Sequence, residues 1–217
     1  MNFIRISLAL IIITLTLITP HFISTRHKSC HDQNVAADRY YGGKRTKLMD
    51  AAKSNNIAEA RRLIEAGADV NAIEGHEFPR SGYPVLRYAI DSGSIEMVNL
   101  LINHGANTNF FTTSPIDTKR THANVRNLPL LSHAIKVDAS KDMLETLIRH
   151  GANVNQKPPM GQWTPLMVAA YYGRIQAVKL LLAHGADKNA KNKHDDNKTA
   201  YDYALENGHK DIAALLK

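Results

Sequence analysis

Cysteine is almost missing from this 217-residue chain, in which Cys30 stands alone. No intramolecular disulfide can form, so packing must hold the fold, and the count neither supports nor excludes an oxidising compartment. Aromatic residues make up only 6%, with one tryptophan, Trp163, so any place where they gather is informative. Long apolar runs are missing too. The longest, Ile6 to Ile18, has 13 residues and as a helix reaches roughly 20 Å, against about 30 Å of bilayer hydrocarbon. The chain has no glycine-rich phosphate loop, nucleophile motif, cysteine–histidine pair or metal-spaced ligand set, which leaves catalysis without a foothold. Nor does one sign of charge dominate. Residues 46–217 hold 21 basic and 18 acidic side chains, +3 of the total +7. Signs so interspersed argue against a nucleic-acid footprint.

What the chain does have is self-similarity. Residues 164–170 read Thr-Pro-Leu-Met-Val-Ala-Ala, a leucine-rich run follows, and Gly185-Ala186-Asp187-Lys188-Asn189 closes the unit. Related stretches begin at Thr46, Pro84, Pro129 and Thr199, and the closing glycines Gly67, Gly105, Gly151 and Gly185 stand 38, 46 and 34 residues apart. Thr164 can cap a first helical turn, and Pro165 suits the next position, where its missing N–H costs nothing. The small Ala169-Ala170 pair lets neighbouring helices approach, and Gly173 permits a tight turn. Ile175, Val178, Leu181 and Leu182 recur at three- and four-residue steps, giving a second helix one apolar face. Gly185 then supplies the left-handed conformation that closes a helix. Each copy is thus expected to be a helix–turn–helix with an extended loop, and it needs stacked neighbours to bury its apolar face. Glu59, Arg61 and Arg62 in the first copy, and Glu206, Lys210 and Asp211 in the last, suit wet end faces.

The TPLMVAA…GADKNA signature resembles the ankyrin repeat family over residues 46–217, most closely in repeats one, four and five. The resemblance implies an all-α solenoid of stacked helix–turn–helix units with extended finger loops. Its repeats are placed at 46–78, 84–116, 129–158, 164–193 and 199–217. In repeats two and three Pro84 and Pro129 replace the capping threonine, which costs about 1 kcal/mol per helix unless another group substitutes. Repeat three has one extra residue between its helices, near Val137-Asp138.

Upstream, residues 1–25 read as a secretory signal peptide, with an uncleaved membrane anchor as the rival and a cytosolic protein as the third reading. Residues 26–45 read as a flexible basic linker, in line with the +4 of residues 1–45. A basic juxtamembrane patch is the sharper reading, useful only to an uncleaved anchor. Lipidation at Cys30 is disfavoured by His27-Lys28-Ser29 before it, and His27, Cys30 and His31 lack a fourth metal ligand. No cofactor or metal is expected. His104, His150 and His184 precede closing glycines one repeat apart, too far for a shared ion, and suit helix C-termini instead. Asn197-Lys198-Thr199 matches a glycosylation acceptor, but Asn197 and Asn127 stand where the family uses glycine, which points to left-handed turns.

The resemblance implies another protein as the partner, read by loop tips and first-helix surfaces of a monomer, with membrane contact only through an uncleaved N-terminus. From closing glycine to next cap the intervals are 17, 24, 13 and 14 residues, against a family interval of about 12. The longest insertion, Phe110 to Arg126, carries Phe110 and Phe111 at its base and Lys119 and Arg120 at its tip. A surface excursion with both phenylalanines tucked against the stack is the plainer reading. Tyr171 and Tyr172 occupy positions implied to lie near the inner side, Tyr83 and Trp163 stand in the loop just before the cap, and such residues carry much of interface energy. Trp163 or Tyr172 packing between loops is the alternative. The function expected is a non-enzymatic protein-binding module, exported or membrane-tethered. Beside it stand a spacer without a dedicated partner and an enzyme with a site in the 110–126 insertion.

Overall fold

Each repeat begins where a side chain or a proline ends an extended approach. In the computed structural model, which describes residues 45–75, 82–113, 127–158 and 163–217, the Thr46 hydroxyl accepts from the Met49 N–H and opens α1, Lys47–Lys53. α2 follows as Ile57–Glu65, then α3 Val85–Asp91 and α4 Ile95–Asn103. α5 and α6 are Leu130–Lys136 and Lys141–Arg149, and α7 and α8 are Pro165–Tyr171 and Ile175–Ala183. α9, Ala200–Glu206, and α10, Lys210–Leu216, end the series. First helices pack on first helices and second on second in chain order, which is the expected solenoid. One apolar cluster runs from Leu48 to Leu216, and the small Ala52, Ala89, Ala134, Ala169 and Ala204 sit fully enclosed within it.

The closures follow the glycines. Gly67, Gly105, Gly151 and Gly185 all have φ between 80° and 90°, and the next N–H reaches back to close a Schellman turn, as Ala186 does to Leu181 O at 2.9 Å. Asparagines then tie one closure to the next. Asn155 Nδ2 donates to Gly185 O at 3.0 Å, and its Oδ1 accepts from the Asp187 N–H at 2.8 Å. Asn71 and Asn109 make the same pair of bonds to their following repeats.

Between closure and next helix, the two longer insertions form antiparallel ribbons. β1, Ile73–Gly75, pairs with β2, Gly82–Pro84, and β3, Phe111–Thr113, pairs with β4, Asn127–Pro129. The ribbons also answer the capping problem. Pro84 and Pro129 make no side-chain cap bond. The first helical N–H groups are instead taken by ribbon-side carbonyls, Val85 by Ala72 O at 3.3 Å and Leu130 by Phe110 O at 3.0 Å. The tip of the longer finger, with Lys119 and Arg120, lies outside the described residues, as does the whole 1–44 segment.

Two expectations about asparagine part company here. Asn197 has φ 58°, a left-handed turn as expected. Asn127 lies in β4 opposite Thr113, in extended backbone, because the strand pairing claims it. Repeat three does carry its extra residue: four residues, 137–140, separate α5 from α6, where the other pairs are separated by three. Among the described residues, no helix is long and apolar enough to cross a membrane.

Candidate partner-binding surface

The first helices bury their opening turn and bring their last turn to the surface. On a helix the fourth and seventh positions share a face, so each repeat contributes three side chains in register. These are the residue before the cap, the fourth helical residue and the seventh. The rows read Arg45, Tyr83, Leu128, Trp163 and Lys198; then Asp50, Tyr88, His133, Val168 and Tyr203; then Lys53, Asp91, Lys136, Tyr171 and Glu206. Contacts link the seventh residue of one repeat to the fourth of the next. His133 Nε2 lies 2.6 Å from Asp91 Oδ1, and the Tyr171 and Tyr203 rings meet edge-on at 6.4 Å.

Proline caps change what the third helical residue does. Where threonine caps, its own N–H is free, and the third residue turns back to accept from it: Met49, Met167 and Asp202 do so. Proline has no N–H to offer. Arg87, which has no acceptor atom to offer a cap, instead lays its guanidinium 3.7 Å over the Tyr83 ring, with its Nε 3.4 Å from Asp91. Tyr83 meets Tyr88 edge-on at 6.4 Å, and the Tyr88 hydroxyl donates to Glu74 on β1. Ser132, the corresponding residue of repeat three, is fully buried, and its Oγ has no partner among the described residues. Burial alone would raise the Asp91 pKa, but the His133 bond and the nearby His133 and Arg87 charges outweigh it and hold it below the usual carboxylate range.

The aromatic cluster sits at repeats four and five. Trp163 is 1% exposed and lies between Tyr203, with ring centroids at 4.3 Å, and Tyr171 at 5.2 Å. This corrects the expectation that Trp163 meets a partner, because its ring is core and leaves no area to offer. Its Nε1 has no acceptor among the described residues. Tyr203 is buried too; its hydroxyl donates to Asp195 and accepts from Asn192, both at 2.8 Å. Burial first, and the Asp195 bond second, push that phenol far above its usual value. Lys198 joins Glu206 at 2.9 Å and Asp195 at 3.1 Å.

Tyr171 and Tyr172 are half-buried over this base, edge to face at 5.0 Å. Burial and the neighbouring Tyr171 raise the Tyr172 phenol above its usual value. Of the other expected contact residues, Tyr83 is half-buried under Arg87, and Phe110 and Phe111 are half-buried at the root of the longer finger, Phe110 against the core. The structure therefore does not gather all the expected residues into one patch. Tyr171 with Tyr172 and Tyr83 with Arg87 form separate points two repeats apart. Arg87, His133 and Tyr203 are additions; the signal for the latter two was their shared fourth position. His104, His150 and His184 are exposed helix C-caps whose backbone N–H groups bond last-turn carbonyls. Among the described residues no group of three histidine, cysteine, aspartate or glutamate side chains could hold a metal ion.

Comparison with known proteins agrees with this architecture. A family model described as ankyrin repeats, in three copies, matches residues 17–112 and 131–217. An ankyrin repeat protein of fowlpox virus (strain NVSL) is 31% identical over 181 residues, 82% of this chain and 48% of that protein. The ankyrin repeat and SOCS box protein 6 of Homo sapiens is 35% identical over 114 residues, 52% of this chain and 24% of that protein. A Rickettsia felis ankyrin repeat protein is 25% identical over 162 residues, 75% of this chain and 50% of that protein. The chain spans half or less of the length of these relatives.

Proposed function

The chain belongs to the ankyrin repeat family, a family of protein–protein interaction modules, and from that premise we propose that it is a non-enzymatic binding module whose contact surface centres on Tyr171 and Tyr172. One observation carries the reading. These two rings are the only adjacent aromatic pair at the last turn of a first helix among the described residues, and both keep part of their area open to solvent. Beneath them Trp163 and Tyr203 form a rigid base, so a partner that covers the pair loses little side-chain freedom on the module's side. Truncating both tyrosines to alanine should weaken partner capture at least tenfold while Trp163 stays in its folded environment. Undiminished capture by a folded double variant would overturn the assignment.

We also propose that the module acts outside the cytoplasm, as a released protein or one tethered by its own N-terminus. The support is the layout of residues 1–25, with Arg5, the apolar run and Pro20 in the order of an export signal. Sequencing the N-terminus of the mature protein tests it. A start near Arg26 supports release, and an intact Met1 in the membrane fraction supports tethering. An intact Met1 in the soluble fraction overturns both.

A further inference from the structure

Tyr171 and Tyr172 meet at 78° with ring centroids 5.0 Å apart, so together they present a wall and a floor rather than one flat face. Neither hydroxyl is enclosed, and neither has a hydrogen-bond partner among the described residues. The pair is held from two sides. Trp163 backs the Tyr171 ring at 5.2 Å. From repeat five, His209 Nε2 lies 3.2 Å from the Tyr171 carbonyl oxygen, and its ring covers Gly173 so closely that a Cβ there would stand 2.6 Å from it. Val137, the C-cap of α5, is 44% exposed and stands one repeat before Tyr172, the C-cap of the packed neighbour α7. Ser92 and Asn207 hold the corresponding places in repeats two and five, so the apolar strip stops there.

What the strip offers decides what it can hold. The N–H groups of residues 137–139 and 172–174 all bond carbonyls of their own repeat, so they leave no open backbone edge for an added strand. A helix keeps its carbonyls in its own ladder and leaves the two hydroxyls unanswered. A polyproline II segment makes no internal hydrogen bonds, and its carbonyls stay free to accept. The lengths agree as well. Packed helices lie about 8–10 Å apart, and residues three apart in polyproline II are separated by about 9 Å. Two prolines at that spacing reach Val137 and the tyrosine corner together. Such segments suit aromatic-lined surfaces because their extended form is already set and costs little entropy to fix.

We propose that Val137, Tyr171 and Tyr172 dock a proline-rich segment of the partner protein in the polyproline II form, with prolines three residues apart. One proline packs on Val137 and the other in the corner between Tyr171 and Tyr172, while the tyrosine hydroxyls donate to carbonyls of the segment. The inference rests on the tyrosine pair being the contact surface of a binding module, and it names the class of segment recognised there.

A random dodecapeptide library displayed on phage, selected against the immobilised full chain, supplies the probe. Selected peptides should carry Pro-x-x-Pro. Measured by fluorescence anisotropy, their affinity should fall about threefold with Tyr171→Phe and with Tyr172→Phe, which remove a hydrogen bond and keep the ring. It should fall about tenfold with Val137→Asp, which sets a charge against the apolar segment. Raised salt should change it little, because no ion pair is used. Thermal melts confirm that each variant is folded. Selected peptides without proline, or peptides that bind these three variants as tightly as the wild type, overturn the polyproline assignment. If such peptides still lose binding with Tyr171→Ala and Tyr172→Ala, the module reading stands without it. Enrichment of no binding peptide counts against both.

Discussion

His133 of the third repeat reaches Asp91 of the second, with Nε2 and Oδ1 2.6 Å apart and the histidine only 7% exposed. Asp91 ends one first helix and His133 lies in the middle of the next, so this bond spans a repeat interface that has prolines where threonine caps stood elsewhere. Arg87 holds the other carboxylate oxygen.

Removing that carboxylate should loosen the interface. Asp91→Asn is expected to cost about 1–2 kcal/mol, the lower part of the range for a charged hydrogen bond because Asp91 is partly exposed. The same link makes a pH prediction. Asp91 has a depressed pKa in the fold, so its contribution is complete above the ordinary carboxylate pKa of about 3.9 and is lost as pH falls through the lower folded value. Urea midpoints between pH 3 and 7 should show a steeper acid decline for wild type than for Asp91→Asn. Parallel curves would contradict the prediction.

Trp163 and Tyr172 should separate stability from binding. Trp163→Ala empties the space between Tyr171 and Tyr203 and should cost about 3–5 kcal/mol. Tyr172→Ala removes a half-exposed ring and should cost about 1 kcal/mol or less, while weakening partner capture. Thermal melts of the two variants would reveal a wrong assignment if the losses were similar.

Capping should matter where the hydroxyl is used and not where proline stands. Thr164→Ala loses the bond from the Met167 N–H and should cost about 1 kcal/mol. Pro84→Ala loses no side-chain cap bond and should cost less than half as much. A larger loss at Pro84 than at Thr164 would show that the ribbon carbonyl does not replace the cap.

The asparagine staple should depend on having a neighbour to tie. Asn155→Ala loses two bonds to the next closure, worth about 1–2 kcal/mol together given their exposure. Asn189 occupies the equivalent place in repeat four, but only its backbone N–H is engaged among the described residues, by Asp187. Its alanine variant should be near neutral in denaturant unfolding; equal losses would refute the staple.

These cases show which features can be read from neighbouring residues. Thr164, Gly185 and the apolar spacing of α8 act within one or two turns, so caps, closures and repeat register were legible in sequence. The extra residue of repeat three was legible by counting. Trp163 was not, because its burial depends on Tyr203, forty positions along the chain. Asn127 looked like a turn residue until pairing with Thr113 made it a strand residue. Arg87 was missed because its place is set by side-chain contacts, with the Tyr83 ring and the Asp91 carboxylate, that only the folded chain brings together. The tyrosine pair was found by register, whereas the support that His209 gives it from the next repeat shows only in the folded chain.

The account is tested most directly by placing a photo-crosslinking residue at position 172 and, separately, at Arg61, an exposed residue of α2 in the first repeat. The prediction is one defined protein adduct at position 172, lost when Tyr171→Ala is added and absent at position 61. Equal adducts at both positions, or none at 172 from a folded variant, would contradict the assignment of this surface to a partner.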